Sequence, residues 1–263
     1  MSKRGSLTVV GTGFLVAGQV TPESLAAMKA ADRFFFLVAE PATRLYLEAQ
    51  HASAESLHDV FWEGRPRQPA YDEIVERLLA AVRQGLEVCV AFYGHPGVFV
   101  YSSHQAVRRA RAEGFSARML PGISAEDCLF AELEVDPAAD GCQSFEATDF
   151  LVRQRLFDPH SGLVLWQMGS LGVVTYHLRD LWNDDGLGYL VEVLAHHYPL
   201  DHRVVVYEAT HYPVCDPLIQ PTRLADLPSC QITTHSTLWV PPLAKPPLDG
   251  AMLARLRPAA GAA

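Results

Sequence analysis

The sequence predicts an α/β protein made of two α/β domains, and three observations carry that prediction. Short apolar, β-rich runs recur at Leu7 to Val10, Phe34 to Ala39 and Leu86 to Ala91. Between them stand segments with helical spacing, such as Ile74, Leu78 and Val82, and Pro121-Gly122 interrupts the alternation before it resumes. Strands that alternate with helices through short connections pair mostly in parallel and bury both faces of the sheet. A chain of 263 residues is long enough for two such cores. The expected divisions are 1–121 and 122–242 for the two domains and 243–263 for a short tail rich in Pro, Ala and Gly.

The elements follow in order. Leu7 to Val10 runs into Gly11-Thr12-Gly13, a strand feeding a glycine turn. Thr21-Pro22-Glu23 then reads as an N-cap, a first-turn proline and an acidic first turn, with Leu25 and Met28 on one helical face. Phe34 to Ala39 is a second buried strand. Tyr71 to Arg83 is a helix stopped by Gly85, and it leads into the strand Leu86 to Ala91. That strand ends in Phe92-Tyr93-Gly94-His95-Pro96-Gly97-Val98-Phe99, where glycines allow a ligand to approach the main chain and Pro96 stiffens the turn. Tyr93 and His95 place polar tips beside that backbone. His104 to Glu113 is a helix ended by Gly114, and Ala117 to Leu120 a short strand. Beyond Pro121, Ser124 to Leu133 reads as a helix, and Gly162 to Met168, Val204 to Tyr207 and Ser236 to Val240 as strands of another α/β unit.

Composition narrows the function. A formal charge of -9 with 21 dispersed Lys and Arg argues against a nucleic-acid surface, which needs clustered cations. Five cysteines form no CxxC pair and cannot close into a full disulfide set, so a reducing, cytoplasmic setting is expected. Lys3 and Arg4 before an apolar run imitate a signal peptide, but Gly11 and Gly13 interrupt it, and a first strand is the simpler reading. No apolar stretch reaches the length of a membrane span. Eleven histidines show neither HExxH nor paired Cys/His spacing, so no metal site is expected. No GxSxG or SxxK motif supports a hydrolase.

Three constellations can carry chemistry. Gly11-Thr12-Gly13 lacks the third glycine of the dinucleotide fingerprint, which leaves a tight turn or a ligand-lining turn. Ser124-Ala125-Glu126-Asp127 fits a capping box, with Glu126 and Asp127 as first-turn charges and backbone N–H groups free for a ligand. In Arg67-Gln68-Pro69-Ala70-Tyr71 the guanidinium either stays solvated or folds back toward the phenol, where its charge favours the phenolate.

Taken together, VGTG at Val10 to Gly13, FYGHPGVF at Phe92 to Phe99, PGISAEDCL at Pro121 to Leu129, LWQMG at Leu165 to Gly169, YPLDH at Tyr198 to His202 and YEA at Tyr207 to Ala209 resemble one family. It is the borosin peptide backbone N-methyltransferases, a branch of the tetrapyrrole methylase superfamily, and the similarity spans Gly5 to Pro242. The resemblance implies a tetrapyrrole methylase-like, class III methyltransferase fold with S-adenosyl-L-methionine in a cleft between the domains. It implies cofactor contacts from Tyr93, His95, Val98, Ala125, Gln167, Ala209, Ser236 and Thr237, and a catalytic pair in Arg67 and Tyr71. Tyr93 is the candidate donor to the developing amide oxyanion. Related enzymes tend to carry tyrosines where this chain has His58 and Phe61; Phe61 cannot donate a hydrogen bond, so any role for a hydroxyl there is absent or is taken by His58 or a water.

About twenty residues follow Pro242, where fused members carry their substrate. The expectation is therefore a split-type enzyme acting on a separate precursor peptide, as a homodimer in a 2:2 complex with it. Two alternatives compete: a methyltransferase of the same fold acting on a tetrapyrrole or other small molecule, and a non-catalytic peptide-binding protein.

Overall fold

The computed structural model describes residues 5–256; Lys3 and Arg4 of the signal-like start and the end of the tail lie outside the described residues. The first half contains β1 (Ser6–Gly11), α1 (Pro22–Ala30), β2 (Arg33–Leu37), α2 (Pro41–Glu48), β3 (Glu55–Ser56), α3 (Arg67–Arg83), β4 (Glu87–Phe92), α4 (Tyr101–Ala112) and β5 (Ser116–Met119). Its sheet has the order β3-β2-β4-β1-β5 and every pairing is parallel. One face is covered by Ile74, Leu78 and Val82 of α3 with Ala106 and Ala110 of α4. The other is covered by Met28 of α1 and Leu47 of α2 over Phe34 and Phe36.

The two central strands lie side by side, Val10 opposite Ala91 and Gly11 opposite Phe92. The loops that leave their carboxyl ends therefore meet, at the edge where open parallel sheets bind ligands. They touch backbone to backbone: Gly94 N–H donates to the Gly13 carbonyl at 2.9 Å, and Gly94 has φ +66°. A methyl group on Gly11 would stand 2.3 Å from the Gly94 oxygen and 2.8 Å from Pro96 Cδ. Gly11→Ala is accordingly expected to cost about 1–3 kcal/mol, because backbone cannot rotate out of the way as a side chain can. Denaturant unfolding checks this, and an unchanged midpoint would mean that the loops part freely.

The second half contains α5 (Ala125–Glu132), α6 (Pro137–Asp140), β6 (Cys142–Glu146), α7 (Ala147–Val152), β7 (Gly162–Trp166), α8 (Gly186–Ala195), β8 (Arg203–Glu208), β9 (Leu218–Arg223), β10 (Thr237–Val240) and α9 (Gly250–Leu256). Its sheet, β6-β7-β10-β8-β9, is mixed. Only β6–β7 is parallel, and β10 and β9 pair antiparallel with their neighbours. Leu163 and Leu165 of β7 point to Leu187, Leu190 and Leu194 of α8 and Phe150 of α7. Val164 and Trp166 point the other way, onto Cys128 and Leu129 of α5, with Phe14 of the first half packed beside them. The capping box is present: Ser124 Oγ accepts from Asp127 N–H, and Asp127 accepts from Ser124 N–H at 2.7 Å.

Among the described residues no helix is long and apolar enough to cross a membrane, and no group of three or more His, Cys, Asp or Glu could hold a metal ion.

Candidate active site

The loop after β4 forms one wall of a cleft between the two sheets. His95 Nδ1 accepts from Gly97 N–H at 2.9 Å and His104 Nε2 contacts the Gly97 carbonyl at 2.9 Å, so the loop is closed on itself. Phe99 (φ +54°) and Gln167 (φ +62°) both hold left-handed backbone on this cleft. Strain of this kind in non-glycine residues clusters at ligand sites. Phe99 packs on Trp166, ring centroids 5.7 Å apart.

Of the eight residues expected to hold a cofactor, Tyr93, His95, Val98, Ala125, Gln167, Ala209 and Thr237 line this one cleft. Ser236 does not line it. It is fully buried, donates to the Glu208 carboxylate and accepts from Thr233 N–H at 2.8 Å, so it fixes the turn before β10. Sequence reasoning missed Phe14, Phe99, Ser124, Trp166, His211, Thr234 and His235 on the same walls. Phe99 and Ser124 lie in segments already marked as a binding loop and a helix start, and Phe14 stands next to the glycine turn, so these three were within reach of a local reading. The rings of His211 and His235 lie 5.8 Å apart; His235 is exposed to the cleft, yet desolvation by the walls crowded around it, then His211, hold it below its ordinary pKa. A neutral His235 leaves the cleft hospitable to a cation.

Beyond Tyr93 the cleft opens into two cavities of about 520 Å³ and 270 Å³ that share Leu37, Arg67, Tyr71, Tyr93 and Gln167. The expected helix at Tyr71 begins four residues earlier, at Arg67. Pro69 is accommodated because first-turn N–H groups lack intrahelical partners. Arg67 and Tyr71 thus stand one turn apart on one helical face. Arg67 Nη2 donates to the Val173 carbonyl at 2.6 Å, and its guanidinium lies 5.5 Å from the Trp182 ring centroid. Tyr71 packs edge-on against Phe61 at 6.0 Å.

Tyr93 is 44% exposed because its surface faces the cleft, yet the surrounding walls dominate its electrostatics. Burial first, then the neighbouring Tyr71, push its phenol above the ordinary value, and Arg67 opposes them. Tyr93 is therefore a neutral donor. The hydroxyls of Tyr71, Tyr93 and Tyr176, all on the smaller cavity, have no hydrogen-bond partner among the described residues.

Two cross-links between the halves close the site. On one side residues 173–178 pair with 63–67. Arg67 N–H donates to Val174 O at 2.9 Å, Gly64 N–H to Tyr176 O at 2.8 Å and Tyr176 N–H to Arg65 O at 2.8 Å. Glu63 accepts from Leu178 N–H and pairs with His177. Arg65 anchors the partner segment through Glu73 at 2.7 Å. On the other side Val16 N–H donates to the His211 carbonyl at 3.0 Å and Tyr212 donates to Glu40. Burial opposes ionisation of Glu40, but hydrogen bonds from Tyr212, Ala42 and Thr43 outweigh it and hold the carboxyl at about 2.

This architecture has known counterparts. It resembles the crystal structure of uroporphyrin-III-C-methyltransferase from Thermus thermophilus, with a TM-score of 0.65, 20% identity and 90% and 92% of the two chains covered. Cobalt precorrin-4 methyltransferase aligns with a TM-score of 0.63, 16% identity and 90% and 94% coverage. Both are likenesses of fold, of the class III methyltransferase type. In sequence, the chain is 41% identical to the methyltransferase and gymnopeptides precursor of Gymnopus fusipes, over 93% of this chain and 60% of that protein. It is 41% identical to the methyltransferase and omphalotin A precursor of Omphalotus olearius, over 93% and 59%. A type I borosin precursor protein of Gymnopilus junonius is 38% identical over 98% and 62%. The chain spans about three fifths of the length of these curated relatives. The family model described as Tetrapyrrole (Corrin/Porphyrin) Methylases matches residues 6–214, and the chain belongs to that family, with the borosin methyltransferases as its relatives.

Proposed function

We propose that this protein is an S-adenosyl-L-methionine-dependent methyltransferase that N-methylates backbone amides of a ribosomally made precursor peptide. In the finer form of this reading the precursor is a separate chain and the enzyme a homodimer. The observation that carries it is the meeting, at Tyr93, of the cleft between the two sheets with a chamber holding Arg67, Tyr71 and unpartnered phenols. The printed names of the relatives, which pair a methyltransferase with a peptide precursor, support a peptide as substrate.

The walls fit the cofactor. Phe14, Val98, Phe99, Ala125, Trp166 and Ala209 supply apolar surface, Gln167 and Thr237 supply polar ends, and the uncharged His235 does not repel a sulfonium. When bound, the cofactor supplies an electrophilic methyl group.

The chain's own residues must make an amide nitrogen nucleophilic. Its lone pair is delocalised into the carbonyl, so the N–H proton has to leave as negative charge builds on the oxygen. Tyr71 acts as the phenolate, its own proton released to solvent beforehand, and its oxygen takes the amide proton while the fixed charge of Arg67 one turn away favours the anionic form. The Tyr93 hydroxyl donates to the amide oxygen. Arg67 is tied to Val173, and residues 173–178, a strap from the second half, are held along this side of the chamber by hydrogen bonds to residues 63–67.

The test is to mix purified protein, S-adenosyl-L-methionine and a separate peptide carrying the omphalotin A precursor segment. The expected result is a mass gain of whole methyl units that fragmentation assigns to backbone nitrogen, with a dimer by sedimentation. Methylation of a tetrapyrrole in place of any peptide would select the small-molecule reading, and failure to bind the cofactor in titration calorimetry would remove the enzyme reading.

A further inference from the structure

The wall of the chamber at Phe61 carries no hydroxyl of its own, because phenylalanine has none to offer. The ring that packs closest on it is Tyr176, with centroids 5.4 Å apart. Tyr176 also meets His58 at 6.5 Å and Trp182 at 5.6 Å. It reaches this place on the strap from the other half of the molecule, and both of its backbone groups are committed there, N–H to Arg65 O and C=O to Gly64 N–H. The main chain at Tyr176 is therefore fixed, which leaves the side chain little freedom to retreat. Tyr176 lines the chamber, its hydroxyl has no hydrogen-bond partner among the described residues, and burial, with Glu63 nearby, keeps the phenol neutral.

We propose that Tyr176 is a substrate-binding residue whose hydroxyl donates to a backbone carbonyl of the bound peptide, filling the place on that wall where Phe61 has no donor. This inference rests on the peptide reading above. The choice of a carbonyl follows from the chemistry. Each methylated unit loses its N–H, as proline lacks one, but keeps its C=O as an acceptor. Main-chain hydrogen bonds that hold untreated and methylated stretches of one peptide alike must go to the carbonyls, and for that the site needs donors. A neutral phenol is such a donor, and the partner hydrogen bonds that would otherwise occupy it are absent among the described residues.

The experiment compares wild type, Tyr176→Phe and the double variant Tyr176→Phe with Phe61→Tyr. Binding of the omphalotin A precursor segment is measured in the presence of S-adenosylhomocysteine, together with KM and kcat, cofactor affinity and melting temperature. Tyr176→Phe keeps the ring packing and removes one oxygen. The expected result is a loss in peptide affinity of about 3- to 10-fold, the range for one hydrogen bond. The loss falls on KM more than kcat, leaves cofactor affinity and melting temperature unchanged, and is the same for a peptide already N-methylated. The double variant, which returns a hydroxyl to the same wall, recovers most of it.

Unchanged peptide affinity in Tyr176→Phe overturns the proposal. So does a loss shared equally by cofactor binding and thermal stability, which marks a merely structural ring. A wild-type protein that binds the peptide but does not methylate it defeats the proposed function and still reads Tyr176 through binding. One that binds no peptide defeats both.

Discussion

Tyr71→Phe reduces kcat for peptide methylation by about 100- to 10,000-fold, the range for loss of a positioned proton acceptor, while cofactor affinity stays near wild type. Tyr71 lines the chamber shared by both large cavities and not the cofactor cleft, and its ring contacts with Phe61 and Tyr101 survive in phenylalanine. Calorimetry with S-adenosyl-L-methionine and single-turnover kinetics separate the two effects. Arg67 gives a companion result. Arg67→Gln removes both the charge one turn from Tyr71 and the tie to Val173, so it lowers kcat and also loosens the strap, visible as faster amide hydrogen exchange at Gly64 and Tyr176, whose N–H groups donate across it. Arg67→Lys keeps the charge but loses the guanidinium fork, and it recovers part of kcat without the strap. Should Tyr71→Phe keep a tenth or more of wild-type turnover, Tyr71 is not the proton acceptor.

Tyr93→Phe lowers kcat by about 100- to 1,000-fold, as removal of one oxyanion donor does elsewhere. The effect depends on Tyr93 being neutral. Its phenol is pushed above the ordinary value near 10, so the proton stays in place across the neutral range. Donation by Tyr93 is lost only as the pH rises beyond that value, and the kcat profile of wild type should show no fall from this group below it. The phenylalanine ring retains the edge contact with Phe14 at 6.2 Å, so the cleft keeps its shape. A variant that loses cofactor affinity as much as kcat would reassign Tyr93 to binding alone.

Much of the fold was legible locally. Thr21 caps α1 by accepting from Ser24 N–H, Ser124 and Asp127 close the capping box, and the apolar runs at β1, β4, β7 and β8 are buried strands. These features depend on neighbours a few residues apart, which is the range a sequence pattern reports. Reading failed where partners are distant. The edge strand β9 is largely exposed and contains Pro221, so it shows no alternation and exists only by pairing with β8. Helix α8 opens with Gly186 and Gly188, which read as breakers, although Leu187, Leu190 and Leu194 are its buried face. The strap at 173–178 has no periodicity, because its hydrogen bonds go to residues more than a hundred positions earlier.

The loop from Phe92 to Phe99 was marked by the sequence alone as a glycine-hinged turn at the end of a buried strand, while at Arg67 to Tyr71 the sequence placed a cation and a phenol four positions apart and left open whether they meet. Local backbone rules and chemical type were enough to mark them. Only the tertiary structure decided that Arg67 is tied to the Val173 carbonyl, that Ser236 braces the cleft from behind, and that Tyr176 crosses from the other half to stand against Phe61. Each of these depends on where remote backbone segments meet. Contact between sequence-distant groups is set by the packing of whole sheets and helices, and no residue pattern along the chain encodes it by itself.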